Sequence, residues 1–211
     1  MKWLPPQDWD CHHMTEAYLA ARKSKDRRTQ VGAVIVGPGH DDRTKGYNGP
    51  LRGLNDLDPD IYLKPTTGGP SPFMGHAERN ALAMAARVGI SIKGCTMYCT
   101  LVSCQHCAAD VANSGISEIK FHAEMAQSLN DTQQIGLEIY RKCGVMIHFW
   151  SGIPLIEEIL VDGKVINLPS LYRPPARRHD YGVHETHCGI GLYEGSCKYG
   201  DDDCPMMEGD N

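Results

Sequence analysis

Residues 95–122, "CTMYCTLVSCQHCAADVANSGISEIKFH", decide the fold. "CTMYCTLV" (95–102) is a short apolar run and reads as a strand. "CQHCAADVANSG" (104–115) is alanine-rich and closes on Gly115, which is how a helix stops. "SEIKFH" (117–122) reads as a second strand. Two strands joined through a helix lie parallel in one sheet, because the crossover returns the chain to the end at which it began.

The flanks extend the pattern. "VGAVIVG" (31–37) is a buried strand, "PGHDD" a turn, and "RTKGY" (43–47) the returning strand, so the sheet opens with a hairpin. "MTEAYLAARKS" (14–24) carries Ala17, Ala20 and Ala21 at helical spacing. A second helix follows Gly75, runs to Val88 and stops at Gly89. "TQQIGLEIYRKCG" (132–144) is a helix ended by Gly144, and "VMIHFW" (145–150) a strand. The order α-β-β-α-β-α-β-α-β predicts an α/β three-layer sandwich: one mixed five-stranded sheet, its later strands parallel, with helices on both faces. Residues 48–74 are rich in Gly, Pro, Asp and Asn and read as a long irregular loop, a class that tends to carry function. The core domain is expected over 1–159. "PSLYRPPARR" (169–178) reads as an extended linker within an irregular C-terminal appendage, 160–211.

Composition narrows the chemistry. No apolar run approaches the roughly 20 residues of a membrane span. "MKWLPPQDWD" lacks the apolar stretch of a signal peptide, so a cytoplasmic protein is expected, in the host cytoplasm if phage-encoded. In that compartment nine cysteines favour metal binding or catalysis over disulfides. The net charge of −5 belongs to the tail: residues 194–211 hold Glu194, Asp201, Asp202, Asp203, Glu208 and Asp210 against Lys198 alone. The remainder is formally neutral, without the basic excess of a nucleic-acid binder.

The reactive residues cluster at two helix starts. "SCQHC" (103–107) places Cys104 and Cys107 three apart, on one helical face, at a helix N-terminus that favours the thiolate. "GHAERN" (75–80) places His76 and Glu78 at the start of the preceding helix. In a parallel sheet such N-termini share one edge. His76, Cys104 and Cys107 can then share a Zn²⁺ with one position left for water, and Glu78 serves as the base beside it. His106 is offset from the ligand face. A redox pair is the competing reading of C-x-x-C, but it leaves His76 and Glu78 unexplained.

H-x-E followed by P-C-x-x-C is the signature of zinc deaminases, and the chain resembles the cytidine/deoxycytidylate deaminase superfamily. The stretches "SKDRRTQVGAVIV" (24–36), "KGYNGPLRG" (45–53), "GHAERNALAMAARVGISIKGCTMYCTL" (75–101) and "SCQHCAADVANSGISEIKF" (103–121) are most similar to deoxycytidylate (dCMP) deaminases of bacteria and phages. The likeness covers roughly residues 10–150 and implies a cytidine deaminase-like fold and zinc-dependent hydrolysis of dCMP to dUMP. The metal core would equally suit a tRNA or RNA adenosine deaminase or another nucleobase deaminase. A non-catalytic zinc protein, with the cluster stapling the fold, is the third reading. The resemblance implies that Asn48 meets the sugar, that the Ala77 N–H meets the pyrimidine carbonyl, and that Val31 lines the base pocket. Arg27, Arg28 and Arg52 are candidates for the 5′-phosphate. Phe121 is a candidate to stack on a base, with a core role as the plainer reading. The resemblance also implies a homo-oligomer, a hexamer, with dCTP or dTTP as effector and Mg²⁺ accompanying it.

Two features depart from or add to that pattern. Ser103 stands where the family has Pro, and a serine there is expected to cap the ligand helix and leave the turn looser. In the appendage, His184, His187, Cys188, Cys197 and Cys204 are candidates for a second, structural zinc, although their spacing is irregular.

Overall fold

The computed structural model describes residues 8–63, 71–152, 154 and 158–167. The chain divides into two compact units, residues 1–172 and 173–211, and the second lies outside the described residues.

Helix α1 (Trp9–Ala21) starts five residues earlier than its alanine spacing predicts. Asp8 caps it, its carboxylate accepting from the Cys11 amide at 2.7 Å. Polar His12 and His13 masked this first turn, yet His13 is buried. Strands β1 (Gly32–Val36) and β2 (Asp42–Tyr47) form the hairpin, followed by the two-residue strands β3 (Gly49–Pro50) and β4 (Met74–Gly75), which pair antiparallel. The expected irregular loop is thus closed at both ends and, among its described residues, carries one 3-10 turn, Pro59–Tyr62. Helix α2 (Ala77–Val88), strand β5 (Thr96–Cys99), helix α3 (Gln105–Asn113), strand β6 (Glu118–His122), helix α4 (Asp131–Cys143) and strand β7 (Met146–Trp150) follow as anticipated.

The five-stranded sheet runs β2-β1-β5-β6-β7. β1 is antiparallel to both of its neighbours, β2 and β5, and β5, β6 and β7 are parallel to one another. Two glycines set the layers. A Cβ at Gly32 would lie 1.9 Å from the Ala17 carbonyl oxygen, and one at Gly46 would lie 2.2 Å from that of Ala77. Gly32 pairs with Tyr47, and Gly46 with Ala33, so the two glycines face opposite sides. The backbones of α1 and α2 therefore press onto opposite faces. Helix α4 lies against α3 on the α2 side, where the Tyr140 and Phe121 rings meet at 6.3 Å.

A hairpin not anticipated from the sequence, β8 (Glu158–Val161) and β9 (Lys164–Asn167), crosses residue 160, where the appendage was expected to begin. Its Ile159 joins Met14, Tyr18, Val34 and Tyr98 in the core beneath α1. The linker expected over 169–178 lies outside the described residues.

Candidate active site

The site grows from two N-cap residues. His76 caps α2 and Cys104 caps α3, both with extended backbone. An N-cap side chain ordinarily turns onto the first helical amides, but neither of these does. They face each other: His76 Nδ1 lies 3.5 Å from Cys104 Sγ and 3.3 Å from Cys107 Sγ. Cys107 enters from the first turn of α3, which begins just past the carboxyl end of β5. His76 stands outside the helix, so the rule that residues two apart on a helix face different ways does not apply to it and Glu78. Glu78 itself is buried in the first turn of α2.

The three donors fit a zinc ion. Tetrahedral Zn²⁺ with typical bond lengths to imidazole and thiolate sets its nitrogen and sulfur ligands about 3.5 Å apart. The hydrogen bond from Cys107 holds the Cys104 thiol down, at about 3, and the same bond pushes Cys107 up; a divalent cation bound here would take both sulfurs as thiolates. Burial pushes the Glu78 carboxyl up, while its own amide, His76 and the Ser103 hydroxyl draw it back.

His76, Glu78 and Cys104 line a cavity of about 550 Å³, with Cys107 buried behind them, within the ordinary range for small-molecule sites. Val31, Asn48, Ala77 and Arg27 line it as well, and so does Arg28. Ala77 is the first residue of α2, so its amide has no acceptor within the helix. Asn48 is already engaged: its Oδ1 accepts from the Val31 amide at 2.8 Å and its Nδ2 donates to the Thr29 carbonyl at 2.7 Å. Arg27 lies over the Tyr62 ring, 5.1 Å from its centroid. Arg52 is exposed and is not among the lining residues. Phe121 is wholly buried in the core and His106 is exposed.

Sequence reasoning missed several cavity residues. Asn130 and Gln133 come from the start of α4, where they form a reciprocal capping box. The N-x-x-Q spacing of "NDTQ" was the available signal. Asp162 sits at the tip of the β8–β9 hairpin, for which the Asp-Gly pair of "ILVDGKVI" was the available signal; its amide donates to Thr29 Oγ1 at 3.0 Å, and the Gly163 amide donates to the Arg28 carbonyl at 2.6 Å. The cap expected from Ser103 is not formed, since Cys104 holds that position and the Ser103 hydroxyl points inward to Tyr140, 3.0 Å away. The candidate ligands of a tail zinc, His184 to Cys204, lie outside the described residues. A second group of donor atoms, His12, His13 and Glu16 on α1, is already paired through Glu16 to Lys45.

Residues 7–123 match the model of the family described as the cytidine and deoxycytidylate deaminase zinc-binding region. The chain belongs to this deaminase family. Human deoxycytidylate deaminase is 31% identical over 165 residues, covering 76% of this chain and 88% of its own length. The deoxycytidylate deaminase of phage T4 is 33% identical over 141 residues, covering 50% of this chain and 72% of its own. Among solved structures, the dCMP deaminase of cyanophage S-TIM5 superposes with a TM-score of 0.53 at 26% identity, over 67% of this chain and 96% of that one. Its complex with dCMP and dUMP gives the same TM-score at 25% identity, over 66% and 94%. The deaminase family is one of zinc-dependent hydrolases, and the family match spans His76, Glu78, Cys104 and Cys107. No helix among the described residues is long and apolar enough to cross a membrane.

Proposed function

We propose that the protein hydrolyses dCMP to dUMP and ammonia, supplying dUMP for thymidylate synthesis. The observation that carries this reading is the convergence of the His76, Cys104 and Cys107 donors at the wall of a cavity lined by His76, Cys104, buried Glu78, Arg27 and Arg28. The likeness to relatives named deoxycytidylate deaminase supports the choice of nucleotide.

His76, Cys104 and Cys107 would hold zinc, leaving one position of a tetrahedral ion open. When bound, the ion supplies the Lewis acidity that makes water a nucleophile at neutral pH. Glu78 takes a proton from the water that adds to ring C4 and delivers it to N3. It then carries the second proton of that water to the departing amine, and ammonia leaves as the C4 carbonyl forms. Burial suits Glu78 to this work, because a carboxyl pushed up from its ordinary value holds a proton more readily and can return it. The Ala77 amide donates to the pyrimidine carbonyl and Val31 packs on the ring. Asn48 has one amide hydrogen beyond the bond to Thr29, and it addresses the sugar. Arg27 and Arg28 meet the 5′-phosphate.

Ammonia release from dCMP tests the reading, with deoxycytidine, dCTP and adenosine-containing RNA alongside and Glu78→Ala as the blank. Glu78→Ala should keep its zinc and lose turnover by at least about 100-fold; substantial residual activity overturns the role of Glu78. The same reading brings a homo-oligomer, a hexamer, and dCTP or dTTP effectors with Mg²⁺. Sedimentation with and without those nucleotides checks both.

A further inference from the structure

Residues 22–31, between α1 and β1, carry no helix or strand, yet Arg28, Thr29 and Val31 form part of the cavity wall. The β8–β9 hairpin, which lies beyond the family match ending at residue 123, grips this wall from outside. It turns through Asp162 and Gly163, both with left-handed backbone at φ 48° and 74°, as a two-residue Asp-Gly turn requires. The Gly163 amide donates to the Arg28 carbonyl at 2.6 Å, and the Gln30 amide donates to the Leu160 carbonyl at 2.7 Å. Thr29 Oγ1 accepts from the Asp162 amide at 3.0 Å and donates to Asp162 Oδ1 at 3.3 Å. The base of the hairpin is anchored in turn. Arg22, the C-cap of α1, donates from Nη1 to the Glu158 carbonyl at 3.1 Å, and Ile159 is buried in the core.

The grip is passed inward. The Thr29 carbonyl accepts from Asn48 Nδ2 at 2.7 Å, and Asn48 Oδ1 accepts from the Val31 amide at 2.8 Å. The Asn48 amide closes the ring by donating to the Val31 carbonyl at 3.0 Å. Thr29 thus stands between the hairpin and Asn48, its hydroxyl on one and its carbonyl on the other. Glu78 and the metal donors belong to the starts of α2 and α3 and share none of these bonds. We propose that the β8–β9 hairpin is a positioning element of the nucleotide site: its tip sets Arg28 against the phosphate and, through Thr29, sets Asn48 against the sugar. The inference rests on the assignment of Arg28 and Asn48 to dCMP.

Thr29→Val, Thr29→Ser, Gly163→Pro and the Thr29→Val/Gly163→Pro double variant, each zinc-loaded, are compared by steady-state kinetics on dCMP and by amide hydrogen exchange. Proline at 163 has no N–H and cannot adopt a positive φ, so it frees the tip from Arg28, and Gly163 itself does not line the cavity. Gly163→Pro should raise KM roughly 5- to 20-fold with kcat within about twofold, the mark of lost binding without lost chemistry. Thr29→Val should raise KM less, Thr29→Ser should restore it by keeping the hydroxyl, and the double variant should match Gly163→Pro, since both open one contact. The Val31 and Asn48 amides, whose own acceptors stay in place, should exchange at least about fivefold faster in Gly163→Pro, because the wall opens locally. If Gly163→Pro also unseats Ile159 and lowers the Tm, Thr29→Val against Thr29→Ser decides, because that hydroxyl lies outside the core. A fall in kcat at constant KM, no rescue by serine, or unchanged exchange at Val31 and Asn48 overturns the proposal. So does faster exchange with KM for dCMP unmoved. Faster exchange in a protein that turns over no dCMP in any form refutes the dCMP reading instead and upholds the grip of the hairpin on the wall.

Discussion

Replacing Gly136 with alanine sets two effects of opposite sign against each other. Helix propensity alone predicts stabilisation by about 1 kcal/mol, because alanine loses less backbone entropy than glycine. The packing predicts the reverse. The new Cβ would meet the Ser103 carbonyl oxygen at 2.4 Å and the Cys104 carbonyl carbon at 3.2 Å, both backbone atoms with no side-chain end to swing aside. Relief requires α4 to retreat by about 1 Å, given ordinary carbon–oxygen contact distances. That retreat would stretch two hydrogen bonds now at 3.0 Å, Gln133 to Val102 and Tyr140 to Ser103. Their loss costs about 2 kcal/mol together, and the disturbed packing costs about 1–2 kcal/mol more. After the propensity gain the net destabilisation is about 2–3 kcal/mol, a fall in Tm of roughly 5–10 °C for a chain of this size. Thermal unfolding of the zinc-loaded protein, followed by circular dichroism, reads it directly. A Tm that rises by a few degrees would mean that only propensity operates and that α4 does not press on the ligand-bearing segment.

Three further outcomes are expected. Cys107→Ala removes one of three donors, so bound zinc should fall by about one per chain and chelator should no longer shift the Tm; metal analysis and a chelator titration decide it. Deleting residues 180–211 should remove a second zinc if His184, His187, Cys188, Cys197 and Cys204 hold one, and unchanged stoichiometry rules that out. Glu118 is pushed up by burial but held down overall, at about 2, by hydrogen bonds with His148 and Thr96 and by Lys120. A depressed carboxyl contributes stability above its unfolded value of about 4.3 and loses it as pH falls through the folded one. Glu118→Gln should therefore cost about 2 kcal/mol near pH 6, and denaturant titrations should show the gap closing between about pH 4 and pH 2.

The elements around residues 95–122 were legible because their signals are local. A strand of four to six residues announces itself by apolar β-branched or alternating side chains, and a helix end by a glycine such as Gly89 or Gly144, each with left-handed backbone. The C-x-x-C and H-x-E spacings are local as well. Parallel topology then forces both helix starts to one edge, which is why the metal donors could be brought together without coordinates. The first turn of α1 was not legible, and the β8–β9 hairpin, marked by Asp162-Gly163 between apolar residues, was passed over when 160–211 was read as an appendage. His13 reads as surface until Trp9, His40 and Tyr98 are seen to enclose it. That Ile159 faces the core is decided by its packing against Met14, Tyr18, Val34 and Tyr98.

The sequence by itself determined the class of chemistry: one imidazole, two thiols and a carboxylate at helix starts on a mixed α/β sheet. That much follows from spacing and period, which operate over a few residues. Only the tertiary structure decided which side chains brace the segment carrying Cys104 and shape the cavity. Ser103 and Tyr140 are 37 positions apart, Thr29 and Asp162 are 133 apart, and Asn48 spends both of its polar atoms on Thr29 and Val31. No periodicity connects such pairs. Their meeting is set by how helices and hairpin stack on the sheet, where a glycine in place of a side chain sets the approach to about an ångström.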